Sequence, residues 1–349
     1  MAYIVSSRRA FLSTIGFVAC PLLRGQSASA GRRGVSVGGR KTKTIDIHAH
    51  CVIPEAVELM GNPAPPPDQV MRPERLRIMD EQGIDMEALS INPFWYGAER
   101  GLVTRLINLQ NEKLSALCAE HPDRFVAFAS VALQFPELAA EQLERGMKQL
   151  GLRGAAIGGN VNGEEISAPR FAPFWKKAEE LGALIFLHPQ GLSAPDLQKR
   201  LQGNGFLSNV IGNPLETTIA LSHLIFDGTL DAFPGLKICA AHGGGYLPSY
   251  ADRSDHGCMA FPQNCKVQLK KKPTEYLRQL YFDSLVFSPE ALRHLVAQCG
   301  ASQIMMGTDY PFPWTTTAVD HILRTPGLTA SQQRAILGET AARLLSIPH

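Results

Sequence analysis

From Thr44 onward, short apolar runs rich in β-branched residues alternate with amphipathic stretches. Runs at residues 44–50, 88–91, 125–131, 154–159, 184–189, 237–243, 281–285 and 304–310 predict strands. Their near-continuous hydrophobicity is that of strands buried on both faces. Between them, residues 73–82, 136–150, 169–181 and 289–299 begin at Pro and stop at Gly83, Gly151, Gly182 and Gly300. Pro at the first helical position and Gly just past the last is the expected helix asymmetry. Eight strands, each followed by a helix, over roughly 300 residues predict an α/β chain closed into a (β/α)8 TIM barrel. An open doubly wound sheet is the competitor, but no G-x-G-x-x-G turn follows the first strand. Residues 62–68 hold four prolines and read as a loop. With no internal repeat and no second apolar-periodic block, residues 44–349 are expected to form a single domain.

Charge changes the picture at the N-terminus. The chain has 349 residues and a formal net charge of +2, but residues 1–43 hold eight of its 34 Lys and Arg and none of its 32 Asp and Glu. The rest is therefore mildly acidic, which argues against a nucleic-acid partner. Ser7-Arg8-Arg9-Ala10-Phe11-Leu12 is a twin-arginine pattern, and it precedes an apolar stretch at 13–23 and Ala28-Ser29-Ala30. Those are the parts of a secretory signal, expected here at residues 1–30 and implying export by the twin-arginine route to the periplasm. The apolar stretch is too short to span a bilayer, and no other segment is apolar enough. Residues 31–43 read as a basic, Gly-rich linker. Six cysteines follow residue 30, with no C-x-x-C and no zinc-type spacing. Cys258 and Cys265 could pair in an oxidising compartment, whereas the others read as buried small hydrophobes.

Chemistry concentrates at the strand ends. On Asp46-Ile47-His48-Ala49-His50, alternation places Asp46, His48 and His50 on one face. Two imidazoles at the C-terminal end of a barrel strand converge at the mouth, where neutral imidazole is the commonest divalent-metal ligand. Three more apolar runs end in a polar, metal-competent residue: His188, His242 before Gly243-Gly244-Gly245, and Asp309. His121, His223, His256, His294, His321 and His349 lie elsewhere and read as structural.

These residues resemble the amidohydrolase superfamily, and the local wording resembles its decarboxylase branch, typified by aminocarboxymuconate-semialdehyde decarboxylase. The pieces are Asp46–His50, Asn213-Pro214-Leu215-Glu216-Thr217-Thr218, Ala241-His242-Gly243-Gly244-Gly245 and Gly307-Thr308-Asp309-Tyr310-Pro311-Phe312-Pro313. The resemblance implies that His48, His50, His188 and Asp309 hold one divalent metal, usually Zn2+, with Mn2+ the alternative. It makes His242 the acid/base residue beside the metal and its water, with Asp309 sharing the catalytic site. A second metal would need a bridging Lys or Glu on strand four, which reads Gly154-Ala155-Ala156-Ile157-Gly158-Gly159. The resemblance also implies a homodimer in which Arg253, eleven residues after His242, holds the carboxylate of a small-molecule acid across the interface. Two features of the branch are missing: the segment 51–72 is short, leaving Arg72 a loose substitute for a second arginine, and His188-Pro189-Gln190-Gly191 lacks its tryptophan. The implied activity is non-oxidative decarboxylation of an unsaturated or aromatic carboxylic acid. Hydrolysis of a lactone, ester or amide at the same site is the alternative, and a non-catalytic metal-binding barrel is a third.

Overall fold

Eight parallel strands close on themselves in the computed structural model, which describes residues 31–265 and 267–348. The export signal expected at residues 1–30 lies outside them. The strands are β1 (Ile45–His50), β2 (Met86–Ser90), β3 (Phe125–Ala127, continued by Ala129–Ser130), β4 (Gly154–Ile157), β5 (Leu184–Leu187), β6 (Lys237–Ala240), β7 (Tyr281–Asp283) and β8 (Ile304–Met305). One ladder runs β1-β2-β3 and the other β3-β4-β5-β6-β7-β8. The two halves of β3 serve different neighbours, and Phe128 between them donates its N–H to Leu89 O at 2.9 Å. The last seam is β8 against β1, where Ile47 N donates to Met306 O at 2.8 Å, Asp309 N to His48 O at 2.8 Å and His50 N to Tyr310 O at 2.6 Å.

Each strand is followed by a helix. In order these are α1 (Pro73–Gln82), α2 (Arg100–Glu120), α3 (Pro136–Gln149), α4 (Ala172–Glu180), α5 (Gly212–Phe226), α6 (Leu247–Ala260), α7 (Pro289–Cys299) and α8 (Ala318–Arg324). The punctuation explains several bounds. Pro73 opens α1 and Gly83 ends it in the left-handed region at φ 74°. Ser288 caps α7 through Ala291 N, directly before Pro289. The 21-residue α2 lacks such signals at its start and is capped instead by the Glu99 carboxylate, which accepts from Gly101 and Leu102 N–H.

Three differences from the sequence reading have physical causes. Residues 31–43 are not a free linker over most of their length: Ser36–Val37 and Arg40–Lys41 form a hairpin, and Val35 and Val37 are buried in the core. Arg33 ties the segment to α8 through Asp320 at 2.6 Å. Simple alternation along β1 also fails, because its register on β2 shifts between Asp46 and Ala49. Ile45 and Ile47 pack in the cluster of Phe128, Ala156 and Phe186, yet the His48 ring lies 5.0 Å from Phe186 as well. A bulge of this kind re-aims side chains, and it turns Asp46 to the β8 seam, where it accepts from Thr308 Oγ1 at 2.5 Å and His48 N at 2.9 Å. Finally, the run expected as a strand at 237–243 leaves the ladder at Ala240, so His242 sits on a turn beyond the strand end, whereas the run at 304–310 leaves β7 after Met305 but still pairs with β1 through Met306, Asp309 and Tyr310.

Cys258 and Cys265 are joined in a disulfide, with Cα atoms 5.7 Å apart, which pins the C-terminal end of α6 to the following loop. Cys51, Cys239 and Cys299 are buried and free. Among the described residues, no helix is long and apolar enough to cross a membrane.

Candidate metal centre

At the C-terminal mouth of the barrel, β1, β5 and β8 deliver His48, His50, His188 and Asp309, whose ligand atoms lie within 4.8 Å of one another. Three of these side chains converge on one oxygen. Asp309 Oδ1 is 2.9 Å from His50 Nε2, 3.1 Å from His48 Nε2 and 4.0 Å from His188 Nε2. All four residues are buried.

The outer ring nitrogens explain why the inner ones are free. His48 Nδ1 lies 2.6 Å from the Asp283 carboxylate, so its N–H points there. Ser90 Oγ donates to Ala49 O at 3.2 Å, leaving its oxygen to accept from His50 Nδ1 at 2.8 Å. With both rings neutral, their Nε2 lone pairs would face each other across 3.0 Å. Two lone pairs that close repel unless a cation lies between or beside them. The four donors fit such a group on a second count: both ring nitrogens of His188 and Oδ1 of Asp309 are buried without a hydrogen-bond partner. Buried polar atoms are rarely orphaned, and an ion is one of the few things that satisfies them. Three imidazoles and one carboxylate are a donor set for a divalent metal.

The electrostatics agree. Burial first, and then the neighbouring imidazoles, push His188 well below the usual histidine value, and burial takes His50 down to about 4. Both therefore hold the neutral, ligating form. Burial also lowers His48, but Asp309 and Asp283 outweigh it and raise the group to about 10 in the metal-free protein. Burial would raise Asp309, yet His48, His242 and His50 hold it far below the carboxylate range.

His242 stands at the edge of this group. Its Nε2 is 3.5 Å from Asp309 Oδ2, and its side chain, 17% exposed, is the most open of the five. Both His242 (φ 56°) and Asp309 (φ 61°) occupy the left-handed region that non-glycine residues avoid. The three glycines after His242 make its turn possible. A Cβ on Gly245 would meet Pro214 O at 2.1 Å, and one on Gly244 would meet the Phe282 ring at 2.6 Å. Asp283 fastens the turn by accepting from His242 N at 2.9 Å and Gly243 N at 2.7 Å. One carboxylate thus orients a ligand ring and the His242 backbone together.

Asp283 and Ser90 were missed as site residues in the sequence. The Asp283 signal was present, since Tyr281-Phe282-Asp283 is another apolar run ending in a polar residue. Arg253 is exposed on α6 and Arg72 is exposed at the start of α1, and neither belongs to the four-residue group. Past the end of β4, the Glu216 carboxylate of α5 would touch a Cβ on Gly159 at 2.8 Å and accepts a hydrogen bond from Asn160 Nδ2. Beside His50, a cavity of about 270 Å³ is lined by Val52, Ile91, Asn92, Phe94 and Phe312. Of the remaining histidines, His223 pairs with Asp227 on α5 at 2.9 Å, and none of those described joins the centre.

Known proteins are similar to this chain in sequence and fold. A family model described as Amidohydrolase matches residues 45–347. The chain is 35% identical over 241 residues to a 2-amino-3-carboxymuconate-6-semialdehyde decarboxylase of Dictyostelium discoideum, covering 68% of this chain and 66% of that one. In structure it is similar to 5-carboxyvanillate decarboxylase from Sphingomonas paucimobilis, with a TM-score of 0.82, 26% identity, and coverage of 88% of this chain and 100% of the other. A dihydroxybenzoic acid decarboxylase from a Polaromonas species, with bound manganese and the inhibitor 2-nitroresorcinol, matches at a TM-score of 0.78 and 26% identity, over 88% and 97% of the two chains.

Proposed function

The chain belongs to the amidohydrolase family, and on that premise we propose that it is a metal-dependent, non-oxidative decarboxylase of an unsaturated or aromatic carboxylic acid. The observation that carries the reading is His242 on a strained turn, 3.5 Å from the Asp309 carboxylate at the open edge of a buried His48–His50–His188–Asp309 group. When bound, one divalent ion supplies a Lewis acid that anchors and polarises the substrate's oxygen atoms. The donor set suits zinc, while a structural relative holds manganese.

The protein's own residues do the rest. The cavity beside His50, walled by Phe94 and Phe312, takes the unsaturated carbon skeleton and excludes water from it. His242 delivers a proton to the carbon that bears the carboxylate. The carbon–carbon bond then breaks, its electron pair restores the π system, and carbon dioxide leaves; solvent returns the proton to His242. Asp309 orients the His242 ring through its free oxygen. Arg253 would hold the substrate carboxylate in a second copy of the chain, a reading supported by its exposure on the helix after the His242 turn, one turn from exposed Tyr250. Export to the periplasm is supported by the disulfide at Cys258 and Cys265, since such bonds persist in oxidising compartments.

The test is carbon dioxide release from a panel of hydroxybenzoates and unsaturated acids by the metal-loaded protein. Release that falls roughly 10²–10⁴-fold in His242→Asn, with metal content unchanged, supports the reading. Ring-opened acid from lactones, without carbon dioxide from any acid, would instead make the chain a hydrolase.

A further inference from the structure

Arg75 on α1 is a buried charge that the proposed reaction does not use. It is 2% exposed, and among the described residues its one carboxylate partner is Glu87 of β2, itself 1% exposed, at 2.6 Å from Nε. Replacing a buried ion pair with apolar residues of similar size is often neutral for stability, so the pair is weak evidence of a stabilising role. Its other contacts are more specific. Arg75 Nη1 donates to the backbone oxygen of His50 at 2.7 Å, and the guanidinium lies over the Tyr310 ring, 4.6 Å from its centroid. Tyr310 follows Asp309 directly, and its own carbonyl accepts from His50 N at 2.6 Å. Nη2 is buried with no partner at all, a cost tolerated for the sake of the other two contacts.

One side chain therefore touches both segments that carry metal ligands across the β8–β1 seam. The seam is irregular there: β8 is two residues long, and although Asp309 N still donates to His48 O, Asp309 holds a left-handed conformation that surrounding contacts must enforce. A rigid guanidinium fork can fix a carbonyl and a carboxylate at once while stacking on a ring, which a lysine ammonium cannot do. We infer that Arg75 is a positioning residue of the metal centre, clamping His50 and the Asp309–Tyr310 segment at ligating distance, with Glu87 fixing the fork.

The inference rests on the metal reading of the four ligands and is tested separately from it. Metal-loaded wild type, Arg75→Lys, and the double variant Arg75→Met with Glu87→Leu are compared in two ways: the rate of metal loss to a chelator, and the visible spectrum of the cobalt-substituted protein. The melting temperature of each metal-free form is measured alongside. The expected result is metal affinity reduced roughly 10–100-fold in both variants, with altered cobalt bands and little change in metal-free melting. Should the double variant fail to fold, Arg75→Lys decides by the same measurements. Wild-type metal loss and cobalt bands in a folded variant would overturn the clamp, as would a metal loss fully matched by destabilisation of the metal-free protein. A wild type that holds no metal would remove the centre itself.

Discussion

The four proposed ligands could be read from sequence because His50, His188 and Asp309 each end an apolar run, with His48 two residues before His50, and polar side chains there point to the barrel mouth. What could not be read is how their outer nitrogens are held, because those partners come from distant segments. His48 depends on Asp283, 235 residues away, and His50 on Ser90, 40 away. Asp283 carries three further N–H groups, from His242, Gly243 and Leu285. Asp283→Ala is expected to lower metal affinity by roughly 10–100-fold, the usual cost of losing a ligand's outer partner, and to loosen the His242 turn as well. Metal titration monitored by calorimetry reads the first effect. A kcat loss that persists at saturating metal reads the second, and a variant that binds metal as wild type does would refute this role for the carboxylate.

At the level of elements, the Pro-to-Gly helices were legible, but departures from regular geometry were not. Gly83 announces the end of α1, whereas nothing in Asp46–His50 announces the register shift that sends Ile47 and His48 to the same interior. The long α2 was missed for want of punctuation, and the hairpin at 36–41 because two two-residue strands, Ser36–Val37 and Arg40–Lys41, look like linker. Two elements beside the site make separate predictions. Gly245→Ala places a Cβ 2.1 Å from Pro214 O in a residue at φ 66°, and should destabilise the folded chain by at least about 3 kcal/mol, read as a lowered denaturation midpoint or loss of soluble protein. Cys258→Ser opens a loop of sequence separation seven and should cost about 2–3 kcal/mol in the chain-entropy view. Because the disulfide lies at the far end of α6 from the His242 turn, metal content should stay near wild type. A loss of metal on reduction would show that α6 transmits strain to the centre.

For the whole molecule, the centre gathers buried histidines and carboxylates at the mouth of a closed barrel, so its protonation is linked to global stability. In the metal-free protein two opposed histidine shifts contribute to the pH response. His48 is raised from 6.5 to about 10, against the lowering effect of burial, by Asp309 and Asp283. A group whose folded value is raised contributes stability fully below the unfolded value, and that contribution fades as pH climbs from about 6.5 to about 10. His50 is lowered from 6.5 to about 4, chiefly by burial. Its contribution has the other sign: it is present above about 6.5 and fades as pH falls towards about 4. These two histidines alone would place the melting maximum near pH 6.5; buried Asp46, raised to about 7 chiefly by burial, opposes the His50 limb below that, so the loss on the alkaline side is the sharper test. A divalent ion changes this by taking the place of the His48 proton and holding His50 neutral. Metal-loaded protein should then keep its melting temperature on the alkaline side, while acid strips the metal as the imidazoles protonate. Melting curves of chelator-treated and metal-loaded protein between pH 4 and 10 measure both limbs. His48→Asn should flatten the alkaline limb of the metal-free curve, and an alkaline limb that survives the substitution would place the responsible proton elsewhere.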